Sequence, residues 1–332
     1  MKTDNTLYTH HQNNNEFETE ENKTEKILLR RKLVLLVSCM LIIGVGIQGY
    51  VSVTAVNRIM AEQAESALID KAEAVTDMLD KETSAFFQYA ELLAHASVLN
   101  DSALSNSKKV QIVYNQTAFN DAIRKIAYCD MNGRCFLNSG EIASVSNEEW
   151  FRAAASGKRF VSEPAVFSFI DKASLIFAVP VYMNDKITGV VGILVSSDFF
   201  SEKIESVTVG YTGYCSIFGL TGVTIAHRDH RFVDDMYSIV SEADTGVASF
   251  KAFIVTALAN QTGVGYYTFM NFPYMAAYTT MRTTGWTVIF NAPEQELTGG
   301  TTKKLMTMFI ITNLCLLITL FTITRIVIRK MI

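Results

Sequence analysis

Two cysteines bracket a turn in YCDMNGRCF (128–136), in a chain that holds five. Thiols so placed can join as a disulfide, bind a metal, or sit as two small buried apolar groups. A metal needs further ligands, and none of a good type accompanies Cys129 and Cys135. The turn register bears on the rest. Asp130 first and Gly133 fourth are type I turn residues. With Gly133 at positive φ as a bulge residue, the loop has three residues, Asp130 pairs with Arg134, and Cys129 opposes Cys135. Opposed Cα atoms then come within disulfide range. A two-residue Asn132-Gly133 loop would turn the thiols to opposite faces.

A second cluster, HRDHRFVDD, holds His227, Asp229, His230, Asp234 and Asp235. Imidazole and carboxylate groups suit several divalent ions. The same pattern describes a solvated loop after a strand, and no metal site is assigned. GVVG and GVG read as strand and turn glycines, without the strand-to-helix setting of a phosphate loop. No HExxH, nucleophile elbow or legible pair of catalytic carboxylates is present. The chain is read as a non-enzyme with no cofactor; a metal-dependent enzyme built on 227–235 is the weaker alternative.

The elements that must position these residues begin with two apolar runs. Formal net charge is −4 with no long basic run, which argues against nucleic-acid binding. The hydrophobic excess gathers at 33–55 and 305–328, each near the ~20 residues that cross a bilayer. Threonines in the second run cost little, because each can bond its own helix backbone. Lys23, Lys26, Arg30, Arg31 and Lys32 precede the first run, and Arg325, Arg329 and Lys330 close the second. The positive-inside rule then places both ends in the cytoplasm and the segment between them outside, although Lys303 and Lys304 run against it. A two-pass protein of the inner (cytoplasmic) membrane is expected, with a disordered cytoplasmic tail (1–32) and a short cytoplasmic end (329–332). An outside location permits a disulfide.

Between the spans, 56–100 shows one apolar stripe at helical spacing, including Ala64, Leu68, Val75, Leu79, Phe86, Ala90 and Leu93. It reads as a stalk helix that also forms a homodimer contact. IRKIAYC and RCFLNS read as a hairpin, WFRAAASGK as a short helix, and RFVSEPAVFSF, ASLIFAVPVYM and TGVVGILVSS as strands. NDK makes the turn between the last two. DFFSEKIESV reads as a helix capped by Asp198. The order then partly repeats: strand, glycine turn and strand from Gly213, the ambiguous SFKAFIVTALAN, and three strands in GVGYYTFMN, PYMAAYTTM and WTVIFNAP. A helix from Pro293 leads into the second span. The fold class is α+β, with two antiparallel-sheet modules at 101–205 and 206–300 on one long helix.

Six segments carry a resemblance: DMNG (130–133), EEWFRAAASGKRFVSEP (148–164), AVPVY (178–182), GVVGILV (189–195), GYTGYCSIFGLTGVTIAHRD (210–229) and AAYTTMRTTGWTVIFNAPEQEL (276–297). In order and spacing they resemble the double Cache (dCache) sensor domain of bacterial chemoreceptors, sensor kinases and diguanylate cyclases. The resemblance implies two PAS-like modules at 56–300, with a small ligand in the membrane-distal one. It also implies a ligand-driven shift of the helix entering the second span.

It further implies a ligand near Trp150. Amino-acid-binding members have an arginine two residues before this tryptophan, a Tyr-x-Asp after the Glu-Pro, and an aspartate after the Gly-rich strand turn. Here those positions hold Glu148, Ala165, Phe167 and Leu194. Holding a zwitterion takes charge-assisted hydrogen bonds at both ends. The expectation therefore turns from α-amino acids to a more apolar or aromatic ligand. Tyr128, Phe167, Phe169 and Tyr182 would line its site, with Glu148 or Asp171 to meet a cation. The plain alternative is that these rings fill a core. Only 326–332 follow Arg325, so the expectation is either that an output domain has been lost or that the chain signals through a separate protein. A degenerate Cache membrane protein acting as an adaptor is the rival.

Overall fold

Strands buried on both faces organise the middle of the chain. A computed structural model describes residues 5–115 and 121–330, in two units, 1–61 with 298–332, and 62–297. In the second unit α1 (Asn5–Ala94) ends, a short 3-10 turn follows, and α2 (Asn106–Asn115) precedes the first sheet. That sheet holds β1 (Ile123–Asp130), β2 (Arg134–Leu137), β3 (Ile142–Ser144), β4 (Phe160–Val161), β5 (Ser174–Met183) and β6 (Lys186–Ser196). Its order is β3-β2-β1-β6-β5-β4, and each of its pairings is antiparallel. α3 (Glu149–Ala155) lies between β3 and β4, and α4 (Asp198–Glu205) follows β6.

In β5, Leu175, Phe177, Val179 and Val181 enter one core, and Ile176 and Ala178 the other. Both faces are covered, so the strand reads as a continuous apolar run. The first core takes the α1 stripe from Leu68 to Ala94. Phe177 meets Phe86 and Phe87 there, each at a ring separation of 5.1 Å. Burying one such ring stabilises by roughly 1.5–3 kcal/mol. The second core takes Trp150, Phe151 and Ala154 of α3 with Phe167 and Phe169.

The second module contains β7 (Thr208–Val209), β8 (Gly213–Phe218), β9 (Thr224–His227), α5 (Arg231–Asp234), α6 (Ala248–Ala259), β10 (Thr262–Phe269), β11 (Phe272–Thr280) and β12 (Thr287–Pro293). The order is β10-β11-β12-β8-β7, with β9 also on β8. The ambiguous segment is α6, whose Phe253, Ile254 and Ala257 pack on Tyr267, Tyr278 and Ile289. Both hairpin turns, Asn184-Asp185 and Met270-Asn271, carry two residues at positive φ, as a two-residue type I′ loop requires. Asp198 does not cap α4 with its side chain. It pairs with Arg124 at 3.4 Å and His230 at 3.1 Å, which ties β1 and α4 to α5.

The first unit holds the beginning of α1 and most of α7 (Glu294–Lys330). α1 is helical from Asn5, within the tail that composition assigns to disorder. That tail holds no proline or glycine, and its Glu, Lys and Gln residues are ordinary helix formers. Residues 1–4 and 331–332, at the outer ends of the expected cytoplasmic segments, lie outside the described residues. Two helices are long and apolar enough to cross a membrane, one within 25–94 and one at Met306–Ile326. Thr312, Thr319, Thr322 and Thr324 donate to the carbonyls of Met308, Cys315, Ile318 and Leu320. Each of these four hydroxyls is satisfied within its own helix.

Candidate functional site

The hairpin adopts the three-residue register. Gly133 has φ +77° and donates to Asp130 O at 2.9 Å. Asp130 Oδ1 accepts the N–H groups of Asn132 and Arg134, each at 3.0 Å. Cys129 opposes Cys135, and the two form a disulfide with Cα atoms 3.9 Å apart. Both sulfurs lie in the core that also holds Trp150. Cys215 is buried and free, and burial pushes its thiol far up.

Trp150 opens α3 and is 2 % exposed. Its indole Nε1–H has no hydrogen-bond partner among the described residues. A buried donor left unpaired costs about 1–3 kcal/mol. Trp150 lines a cavity of about 470 Å³ with Glu148, Ala165 and Phe167, four of the residues singled out in sequence. Phe87 of α1, Arg159 and Trp286 complete much of the wall. The Arg159 guanidinium lies 5.0 Å from the Phe87 ring centre and has no carboxylate partner among the described residues. Glu149 and Glu163 also line the cavity.

The remaining candidates separate. Phe169 stacks on Phe167 at 5.7 Å, and with Leu194 it fills the core behind the cavity. Asp171 is exposed outside the cavity lining. Tyr182 is 46 % exposed and stands beside Gly157, past the end of α3. Tyr128 enters the opposite core, under Lys109 of α2. The physical reason is strand alternation: Tyr128 neighbours Cys129, which faces the Trp150 side, so its own ring must face away. The members of 227–235 also disperse. Burial holds the His227 imidazole below its usual pKa. Asp229 is held down to about 2 by the Arg231 guanidinium, and His230 meets Asp198. No group of three metal-ligating side chains occurs among the described residues.

Glu148, Ala165, Phe167 and Leu194 lack a clamp for a carboxylate, but Arg159 lines the cavity from a fifth position, just after the Gly157 turn that ends α3. Phe87 and Trp286 arrive from distant parts of the chain, and no local signal marks them.

Two antiparallel modules on one long helix, with an aromatic cavity holding a free guanidinium, define a ligand-binding sensor fold. A model of the Cache domain matches residues 56–301, and the chain belongs to that family. Its members and the similar solved structures are sensory ligand-binding domains, related to those of chemoreceptors. The sensory domain of the Campylobacter jejuni chemoreceptor Tlp3 (CcmL), with isoleucine bound, is 12 % identical over 73 % of this chain and 97 % of that one, with a TM-score of 0.55. The ligand-binding domain of the Pseudomonas fluorescens chemoreceptor CtaA, in complex with L-leucine, is 15 % identical over 72 % and 99 %, at 0.57. That of Pseudomonas aeruginosa PctB, in complex with L-Arg, is 16 % identical over 70 % and 97 %, at 0.55. No curated protein matches the chain.

Proposed function

We propose that this chain is a two-pass membrane receptor whose Cache domain, outside the cytoplasm, binds a small carboxylate-bearing molecule against Trp150. Trp150 lines the cavity and its indole N–H has no hydrogen-bond partner among the described residues; these two facts carry the reading. Arg159 supplies the positive charge for the carboxylate, and Ala165 and Phe167 the apolar wall. Glu148 and Glu149 at the rim favour a ligand that also carries an ammonium group. Amino acids, the ligands in the CtaA and PctB complexes, therefore return as the first class to test.

Two flanking apolar helices and their basic flanks support membrane anchoring with both ends in the cytoplasm. Signal would pass along α7, which starts at Glu294 directly after β12. A homodimer through α1 suits the exposed Leu92 of that helix, and a separate protein would read the output. A ligand shifts such a receptor only by its difference in affinity between two states.

The test is the thermal midpoint of the full chain in nanodiscs, against L-amino acids, the matching amines and the matching deaminated acids. Carboxylate-bearing compounds should raise it, and Trp150→Phe and Arg159→Gln should each remove the rise. Stabilisation by carboxylate-free amines alone, or by none of the panel, would overturn the assignment.

A further inference from the structure

β12 leaves its sheet at Pro293, and α7 starts at Glu294. Two turns lie at this same end of the sheet, because β11 and β8 both pair antiparallel with β12. Tyr274, near the start of β11, opposes Pro293, so the β10–β11 turn projects beyond it. Tyr214 opposes Asn291, which brings the β7–β8 turn to the same edge. Two hydrogen bonds agree with this placement. The Tyr266 hydroxyl of β10 donates to Glu65 of α1 at 2.5 Å, close to where that helix enters residues 62–297. The Tyr211 N–H donates to Glu296, in the first turn of α7, at 2.8 Å.

What these turns expose is apolar. Among the described residues of 62–297, Tyr211 and Met270 are the two most exposed large apolar side chains, at 92 % and 74 %. Phe272, beside Met270, is 65 % exposed. The hairpin from Thr262 to Thr280 contains no charged residue, although β10 is an edge strand. An edge strand that faces water is ordinarily protected by charge. Met270 also holds φ +49°, a conformation that Asn and Asp enter far more readily than a long apolar side chain. The β5–β6 turn has Asn184 and Asp185 at its two positive-φ positions. Here the first of the two is apolar, against both backbone preference and contact with water.

An exposed apolar patch marks a contact surface. Chain length indicates its partner. Along α7, Glu294 lies at most about 18 Å from the apolar stretch that starts at Met306. From Tyr274 to Asn271 the hairpin advances about 10 Å past Pro293, in the direction in which β12 runs. A headgroup layer roughly 5–8 Å deep covers the remainder.

We infer that the β10–β11 turn is a membrane-contact surface, with Met270 and Phe272 in the headgroup layer of the bilayer and Tyr211 at its outer edge. This rests on the two-pass reading given above. The residue types suit the layer: Met and Phe bury apolar area, and Tyr keeps its hydroxyl in water. With no charge in the hairpin, no ionised group is desolvated. Lipid contact would fix the end of β12 at the bilayer surface, and with it the point from which α7 departs.

The test places the full chain carrying Phe272→Trp in nanodiscs of phosphatidylglycerol and phosphatidylethanolamine, with and without lipids brominated near the top of the acyl chain. The native Trp150 and Trp286 are buried and give the background. The added emission should be lost to the brominated lipid. Met270→Trp repeats the measurement from the turn itself. Met183→Trp, exposed beside the β5–β6 turn of the first module, should keep its emission. Unquenched emission from both hairpin positions, or equal quenching of Met183→Trp, would overturn the inference. Washing membranes with alkaline carbonate separates the two ways of failing. A chain released by the wash overturns the two-pass reading together with this one. A retained chain with unquenched hairpin tryptophans overturns the lipid contact alone, and gives the turn to a protein surface.

Discussion

Glu163 and Thr221 join the two modules by a two-point hydrogen bond. Glu163 Oε1 accepts the Thr221 backbone N–H at 3.0 Å, and Oε2 accepts its hydroxyl. Glu163 follows β4 of the first sheet, and Thr221 sits in the β8–β9 turn of the second. Both line the Trp150 cavity, so the clasp between modules is also part of that cavity's wall. Gly219 permits the approach, since a Cβ there would strike the Glu163 carboxylate.

Glu163→Ala should therefore loosen the pair. Partial exposure reduces the cost of a charge-assisted bond to about 1 kcal/mol. The measurement is a double-mutant cycle with Thr221→Val by thermal unfolding. A non-zero coupling energy is expected, and strict additivity of the two changes would refute the clasp. Gly219→Ala should mimic Glu163→Ala.

The disulfide supports the same module from beneath. Its sequence separation is 6, and the loop-entropy model assigns about 2 kcal/mol to closing so short a loop. Replacing Cys129 and Cys135 together by alanine should lower stability by that order. Gly133→Ala should act through the turn, because φ +77° disfavours a side chain and its Cβ would meet the Ser146 backbone at 2.7 Å. Mass spectrometry of the untreated chain should show the Cys129–Cys135 bond. Cys215 should resist alkylation at pH 8 until the chain unfolds, being 1 % exposed with its thiol pKa pushed up by burial. Rapid labelling of Cys215 in the folded chain would contradict its placement.

Much of the scaffold was legible because it rests on short-range periodicity. The continuous apolar run of strand length at 174–183 marks β5 whichever partner it has, and the stripe from Leu68 to Leu93 marks the buried face of α1. The elements that escaped lack a clean period. α2 buries only Val110, Val113 and the stem of Lys109, whose ammonium donates to Leu99 O at 2.9 Å. α6, as FKAFIVTALA, is apolar nearly all round, so helix and strand periods fit it alike. The site was half legible for a related reason. Trp150, Ala165 and Phe167 lie within one local segment. Arg159 lies in that same segment, while Phe87, Trp286 and Thr221 meet it only through tertiary packing, and strand parity alone argues against Tyr128.

The orphan donor of Trp150 gives a sharper test than its removal. Trp150→Phe keeps most of the buried ring and deletes the unpaired N–H. The unliganded chain should then be nearly unchanged in stability, since the cost of an unpaired buried donor disappears with it. Ligand-induced stabilisation should fall at the same time. Destabilisation of the unliganded chain by several kcal/mol would mean that the indole N–H is already bonded, and would remove the main argument for a ligand there.

Glu296 links the first turn of α7 to the β7–β8 turn. Its Oε2 accepts the N–H groups of Tyr211 and Thr212 at 2.8 and 2.9 Å, and its Oε1 the Thr212 hydroxyl at 2.6 Å. Burial pushes its carboxyl up, yet these three donors together hold it below the ordinary value. A carboxyl whose folded pKa is depressed adds stability above its unfolded pKa, and that stability is lost as pH falls through the folded pKa. Wild type and Glu296→Gln should therefore differ most at neutral pH, and the gap should close as pH drops below the usual carboxylate range. The nearby Arg228 guanidinium donates to Thr212 O and braces the same turn. Thermal midpoints of both proteins from pH 7 down to pH 3 measure this directly. A gap that stays constant, or widens towards acid, would mean that Glu296 holds the turn without its charge. It would also mean that the root of α7 is insensitive to protonation.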